Sequence, residues 1–86
     1  MAYPEPNFHY VYILQSVSDP SRQYTGLTQD LYIRLKDHNS CKVPHSRKFR
    51  PWVIETAIAF RSREKAAVFE RYLKSHAGRA FARKRF

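Results

Sequence analysis

A carboxylate sits where the pattern of its helix asks for a hydrophobe. Placed at about 100° per residue, Ala66, Phe69, Leu73 and Ala77 make an apolar stripe, and Glu70 falls inside it. A charge taken out of water needs a cation, a metal or several donors, or else it takes up a proton. Glu70 is therefore either an edge residue paired with Arg or Lys, or a metal ligand. On an earlier amphipathic stretch, Arg34 and His38 stand one turn apart and flank the Leu31/Leu35 stripe, so they point to the same place. Each has a plain explanation alone: an arginine snorkelling over a sheet, and a histidine favoured by the end of a helix. Tyr12 and Tyr24, on what read as neighbouring strands, are either amphipathic core aromatics or the floor of an active site. Cys41, beside Lys42, is a weak nucleophile candidate, because no base or orienting acid can be assigned to it.

Several elements must position these residues. Residues 1–7, with Pro4 and Pro6, read as an irregular leader. Residues 8–15 read as a central strand, with Phe8, Tyr10, Tyr12 and Leu14 on one face and Val11 and Ile13 on the other. "SVSDPSR" is a turn, and residues 22–25 return as a second, antiparallel strand, after which Gly26 permits a sharp exit or a close backbone approach. Thr28 or Asp30 caps a helix over 31–39. Residues 40–51 carry Lys42, Arg47, Lys48 and Arg50 without periodicity and read as a basic surface loop. Residues 52–60 alternate as a third strand, with Trp52, Ile54, Ile58 and Phe60 on one side. Ser62 caps a helix running to about His76, and Gly78 breaks it. Residues 77–86 make a short basic helix or a frayed tail. The expected fold is α+β: a small three-stranded antiparallel sheet packed against helices, in the order β-β-α-β-α with an optional final α.

Totals narrow the function. A chain of 86 residues fills one domain. Sixteen Lys and Arg against seven Asp and Glu give a net charge of +9, which favours a polyanionic partner, nucleic acid before membrane. Composition does not separate DNA from RNA. No apolar run approaches a membrane span, and the N-terminus lacks the basic and apolar regions of a secretory signal. One cysteine cannot form an internal disulfide, which fits a reducing cytoplasm, and scattered histidines argue against zinc.

The motifs resemble the GIY-YIG nuclease superfamily, specifically its small stand-alone bacterial members, which are similar to the N-terminal domain of UvrC. The resemblance covers nearly the whole chain. It rests on Tyr10-Val11-Tyr12, Tyr24-Thr25-Gly26, the helix "TQDLYIRLKDHN", the strand segment "RPWVIETAIAF" and the final "FERYLKSHAGRAF". The glycine of the first motif is Tyr10 here.

Carried over, the resemblance implies a metal-dependent DNA endonuclease. Tyr12 and Tyr24 would line the site, Gly26 would shape it, and Arg34 would contact the scissile phosphate. His38 stands where family members use His or Tyr. Glu70 would be the single protein ligand of Mg²⁺, with Mn²⁺ able to substitute. One of the tyrosines would be the general base, Tyr24 preferred and Tyr12 assisting. Lys42, Arg47, Lys48 and Arg50 in the loop, and Arg79, Arg83, Lys84 and Arg85 in the tail, would track the phosphate backbone without reading sequence. The chain is expected to be a monomer or weak homodimer. A protein partner supplying specificity is a further expectation, with Phe81 and Phe86 as contacts if exposed. The competing reading is a noncatalytic DNA- or RNA-binding module of the same fold.

Overall fold

A computed structural model describes residues 7–40 and 42–86, so residues 1–6 of the leader and Cys41 lie outside the described residues. The order is β1 (His9–Ser16), β2 (Gln23–Thr28), α1 (Leu31–Asn39), β3 (Trp52–Phe60), α2 (Arg63–Lys74) and α3 (His76–Arg85), with a 3-10 turn at Arg47–Phe49. The α+β expectation and its element order are met. The strands form one antiparallel sheet in the order β2-β1-β3, which makes β1 central and β2 an edge. Burial on both faces explains why β1 reads as an unbroken apolar run.

Each face of β1 has its own helices. Val11 and Ile13 pack with Ala66 and Leu73 of α2, joined by Leu27, Phe60, Phe69, Phe81 and Ala82. On the opposite face, Tyr12, Leu14 and Trp52 pack with Tyr24, Leu31, Leu35, Phe49 and Ile54. A bulge decides how β3 serves both. Ile13 pairs with Thr56 and Leu14 with Ile54, so Glu55 is an extra residue between them. Trp52 and Ile54 therefore face α1, whereas Ile58 and Phe60 face α2, and the expected single side of β3 is divided in two.

Local chemistry sets the helix ends. Asp30 Oδ1 accepts from the Ile33 N–H at 3.0 Å and starts α1, whose bounds match the expected 31–39. Ser62 Oγ accepts from Lys65 N–H at 3.2 Å at the start of α2. The break after α2 differs from the expected one. It falls at Ser75, whose hydroxyl caps both helices: it donates to the Tyr72 carbonyl at 2.5 Å and accepts from the Gly78 N–H at 3.1 Å. Gly78 lies inside α3, where a Cβ would run into the Tyr72 carbonyl; its missing side chain permits the close helix contact rather than ending a helix. Ala77, expected in the stripe, is exposed because the chain has already turned into α3. The tail is helical to Arg85. Among the described residues no helix is long and apolar enough to cross a membrane.

Candidate active site

The site begins with how Tyr12 leaves the sheet. Tyr12 pairs with Gly26 across the β1–β2 ladder, and a Cβ on Gly26 would overlap the Tyr12 phenol. The ring therefore lies over the edge strand. Gly26 sits within β2, not at a sharp exit from it, and has no left-handed backbone, so closeness of approach is what requires glycine.

Around the Tyr12 hydroxyl the expected residues gather. His38 Nε2 lies 3.1 Å from Tyr12 Oη, and the Arg34 Nε–H donates to the same oxygen at 3.4 Å. Tyr24 stacks beside Tyr12 with ring centroids 6.5 Å apart, and meets the His38 ring in a T-shaped contact with centroids 4.4 Å apart. The helical spacing of Arg34 and His38 puts both on the α1 face that looks down on these rings. Arg34 is the surface-facing member, its side chain 38% exposed and its Nη1 3.8 Å from Asp37.

The electrostatics follow from burial. Loss of water pushes the Tyr12 phenol above its ordinary value; Arg34 opposes this, and Tyr24 and the Glu70 carboxylate add to it. Burial also lowers His38, helped by Arg34 and opposed by Asp37, so the imidazole is held neutral.

Glu70 comes from the other layer. α2 lies against β1 and the edge strand β2, and its Glu70 reaches the Tyr12 hydroxyl through the field between them. The carboxylate is 18% exposed and pairs with Lys74 Nζ at 2.8 Å, one turn along. The paired-edge explanation of Glu70 is thus present in the structure. As a hard oxygen donor largely withdrawn from water, the same carboxylate also fits a hydrated Mg²⁺, which takes one or two protein carboxylates and keeps most of its waters. Lys74 engages Oε2, one of the two carboxylate oxygens. Among the described residues no group of three or more His, Cys, Asp or Glu stands together to hold a metal ion.

Other expectations divide. The hydrogen bond to His38 belongs to Tyr12, not to Tyr24, the preferred base. Lys42, Arg47, Lys48, Arg50, Arg79, Arg83, Lys84 and Arg85 are all exposed. Arg79 and Arg83 line a groove of about 450 Å³ with Lys74, on the α2/α3 side of the sheet. The loop residues Lys42, Arg47, Lys48 and Arg50 belong to the segment that follows α1. Phe81 packs into the core and Phe86 meets its ring edge-on. Tyr32 is 83% exposed at the start of α1.

Sequence reasoning missed Ser46. The loop after α1 is more than surface: Val43 and Ser46 are buried, and Phe49 packs against the α1-side core. Ser46 Oγ lies 2.8 Å from His38 Nδ1, and its carbonyl accepts from the Trp52 indole N–H at 2.8 Å. Trp52, at the edge of a basic run, was the one signal that something in that loop had to fold inward.

Residues 8–84 match the family model described as the GIY-YIG catalytic domain. A structure-specific endonuclease subunit slx1 of Talaromyces marneffei is 40% identical over 73 residues, covering 78% of this chain and 19% of the relative. The SLX1 subunit of Candida dubliniensis is 38% identical over 76 residues, covering 80% and 27%. That of Malassezia globosa is 34% identical over 79 residues, covering 86% and 18%. The chain thus spans less than a third of the length of these relatives, all of them fungal. The protein belongs to the GIY-YIG family.

Proposed function

We propose that this GIY-YIG domain hydrolyses phosphodiester bonds in DNA, with a divalent metal, most readily Mg²⁺, held by Glu70. The observation that carries this is the Tyr12 hydroxyl, bonded at once to a buried neutral histidine and to a partly exposed arginine. Arg34 offers the phosphate a fork of donors from the surface side. Tyr12, directly beneath it, accepts the proton of the attacking water while passing its own to His38. Tyr24 holds the imidazole and the neighbouring phenol in register. Gly26 makes room for the phenol to stand there. When bound, the metal supplies charge stabilisation at the phosphate oxygens. Glu70 would hold the ion in place of its present pairing with Lys74. The eight exposed basic residues of the loop and α3 hold the nucleic-acid backbone without reading bases.

The relatives are named structure-specific endonuclease subunits, which supports a nucleic acid recognised by its structure as the substrate class and a second protein as the source of specificity. The resemblance to small bacterial members leaves a stand-alone activity as the simpler version of the same proposal. One observation favours Tyr24 as the base instead: it is the more exposed of the two phenols. Another favours the noncatalytic binder, namely the intact Glu70–Lys74 pair.

Cleavage of nicked, flapped and four-way DNA in Mg²⁺ tests the proposal. Nicking that is lost in EDTA, in Glu70→Gln and in Arg34→Ala, with folding and DNA binding kept, is the expected result. Salt-sensitive binding with no cleavage in any of these conditions would leave only the binder.

A further inference from the structure

The buried hydrogen bonds around His38 fix where its single proton sits. Arginine only donates, so Tyr12 Oη accepts from Arg34 Nε–H. The Tyr12 proton then needs an acceptor, and among the described residues the remaining hydrogen-bond partner of Oη is His38 Nε2. At the other end of the ring, Ser46 Oγ donates its only proton to the Val43 carbonyl at 3.2 Å, which leaves its lone pairs for His38 Nδ1–H at 2.8 Å. Both ends agree. The opposite tautomer would point two N–H groups at Tyr12 and leave a buried phenolic proton without a partner, which burial penalises.

We propose that Ser46 is a positioning residue that holds His38 as the Nδ1–H tautomer, so that Nε2 is the proton acceptor for Tyr12. The role in cleavage rests on the nuclease reading above; the tautomer does not. In the reacting complex, the water O–H bond breaks and its proton goes to Tyr12 Oη. The Tyr12 proton moves to His38 Nε2, the water oxygen bonds to phosphorus, and the bond to the leaving oxygen breaks, that oxygen taking a proton from solvent. The imidazolium that forms keeps its Nδ1–H on Ser46. The groups facing His38 are Arg34 and Asp37 from α1, Tyr12 from β1, Tyr24 from β2 and Ser46 from the loop, with Glu70 of α2 acting on Tyr12. Arg34 and burial keep the ring neutral before the step.

Ser46 is itself held in place. Its carbonyl is bonded to the Trp52 indole, and Asn39 clamps the Trp52 backbone from the end of α1, donating to the carbonyl at 3.1 Å and accepting from the N–H at 2.6 Å. These contacts tie the loop to the helix that carries His38. Outer partners that orient a histidine commonly change activity by about tenfold to a hundredfold, the range expected here by analogy with metal-site histidines.

Long-range ¹⁵N–¹H correlation spectra of the whole chain, labelled at histidine, read the tautomer directly. The expected result is a lone-pair nitrogen at Nε2 and a protonated Nδ1 in the wild type, a mixed or reversed pattern in Ser46→Ala, and the wild-type pattern in Ser46→Thr, which keeps the hydroxyl. In DNA cleavage, Ser46→Ala lowers kcat about tenfold to a hundredfold with KM unchanged, and Ser46→Thr recovers most of it. A wild-type His38 protonated at Nε2, or Ser46→Ala with both tautomer and kcat unchanged, would overturn the proposal. Since the wild-type spectrum is taken without DNA or metal, a chain that has the expected tautomer and cuts nothing removes the nuclease reading alone.

Discussion

Against α2 and α3 the sheet presents Val11, Ile13, Ile58 and Phe60; against α1 it presents Tyr12, Leu14, Trp52 and Ile54, with His38 and Ser46 buried among them. The first face is held by area removed from water, a force with little directional demand. The second is held by area and by a chain of hydrogen bonds running from Arg34 through Tyr12, His38 and Ser46 to the Val43 carbonyl. Directional contacts place atoms where area alone cannot, so the polar face can hold a phenol against an imidazole nitrogen. From the apolar layer, the Glu70 carboxylate of α2 acts electrostatically on the Tyr12 hydroxyl.

The largest effect that sharpens this contrast is a loss of area. Leu73→Ala should cost about 2–5 kcal/mol in urea unfolding, because a buried leucine leaves a cavity between α2 and the sheet. Cleavage per folded molecule should survive it. Tyr12→Phe should cost about 1–3 kcal/mol, since the Arg34 donor and one buried histidine nitrogen lose their partner while almost no volume changes. The same variant should lower single-turnover cleavage about 10²–10⁴-fold. If Tyr12→Phe unfolds at the wild-type urea concentration and cuts normally, the two faces do not differ as described. Ser75→Ala should cost about 1 kcal/mol, because one hydroxyl serves both the end of α2 and the start of α3.

A smaller effect is a pH dependence confined to the polar face. His38 is lowered in the fold from its ordinary value near 6.5, so the unfolded chain takes up this proton first. Its contribution is therefore fully present above about pH 6.5 and is lost as pH falls through the lowered value of the folded state. Unfolding measured between pH 8 and pH 5 should show wild-type stability declining through this window, and His38→Gln should flatten the decline. A wild type that gains stability over the same acidification would contradict the neutral, buried imidazole.

Much of this was legible in the residues. The unbroken apolar run of β1 marked a central strand, and Thr28 or Asp30 with the Leu31/Leu35 pair marked α1 at about 31–39, the structure choosing Asp30 as its cap. Spacing also put Arg34 and His38 on one face of α1, because a helical turn is a rigid ruler; that this face meets the Tyr12 phenol is what the structure adds. What the sequence hid were features with no period. The extra residue at Glu55 leaves the alternation of β3 intact while sending Trp52 and Phe60 to opposite layers. Gly78 looked like a stop because glycine ends helices, yet here it serves the close packing of α3 on the end of α2. Ser46 lay in a basic loop where a serine carries no signal until the histidine above it needs an acceptor. Which phenol bonds the histidine was hidden in the same way: register puts Tyr12 over Gly26, and its hydroxyl reaches His38.

The central claim is that Glu70, from the apolar layer, and Tyr12 with Arg34, from the polar one, meet around a divalent ion at the β2 edge. A crystal structure of the protein with Mn²⁺, read by its anomalous scattering, tests this most directly. The account predicts the ion on the Glu70 carboxylate, the Lys74 ammonium moved off it, and the Tyr12 hydroxyl and Arg34 guanidinium lining the same cleft. An unbroken Glu70–Lys74 pair with manganese bound elsewhere would contradict it.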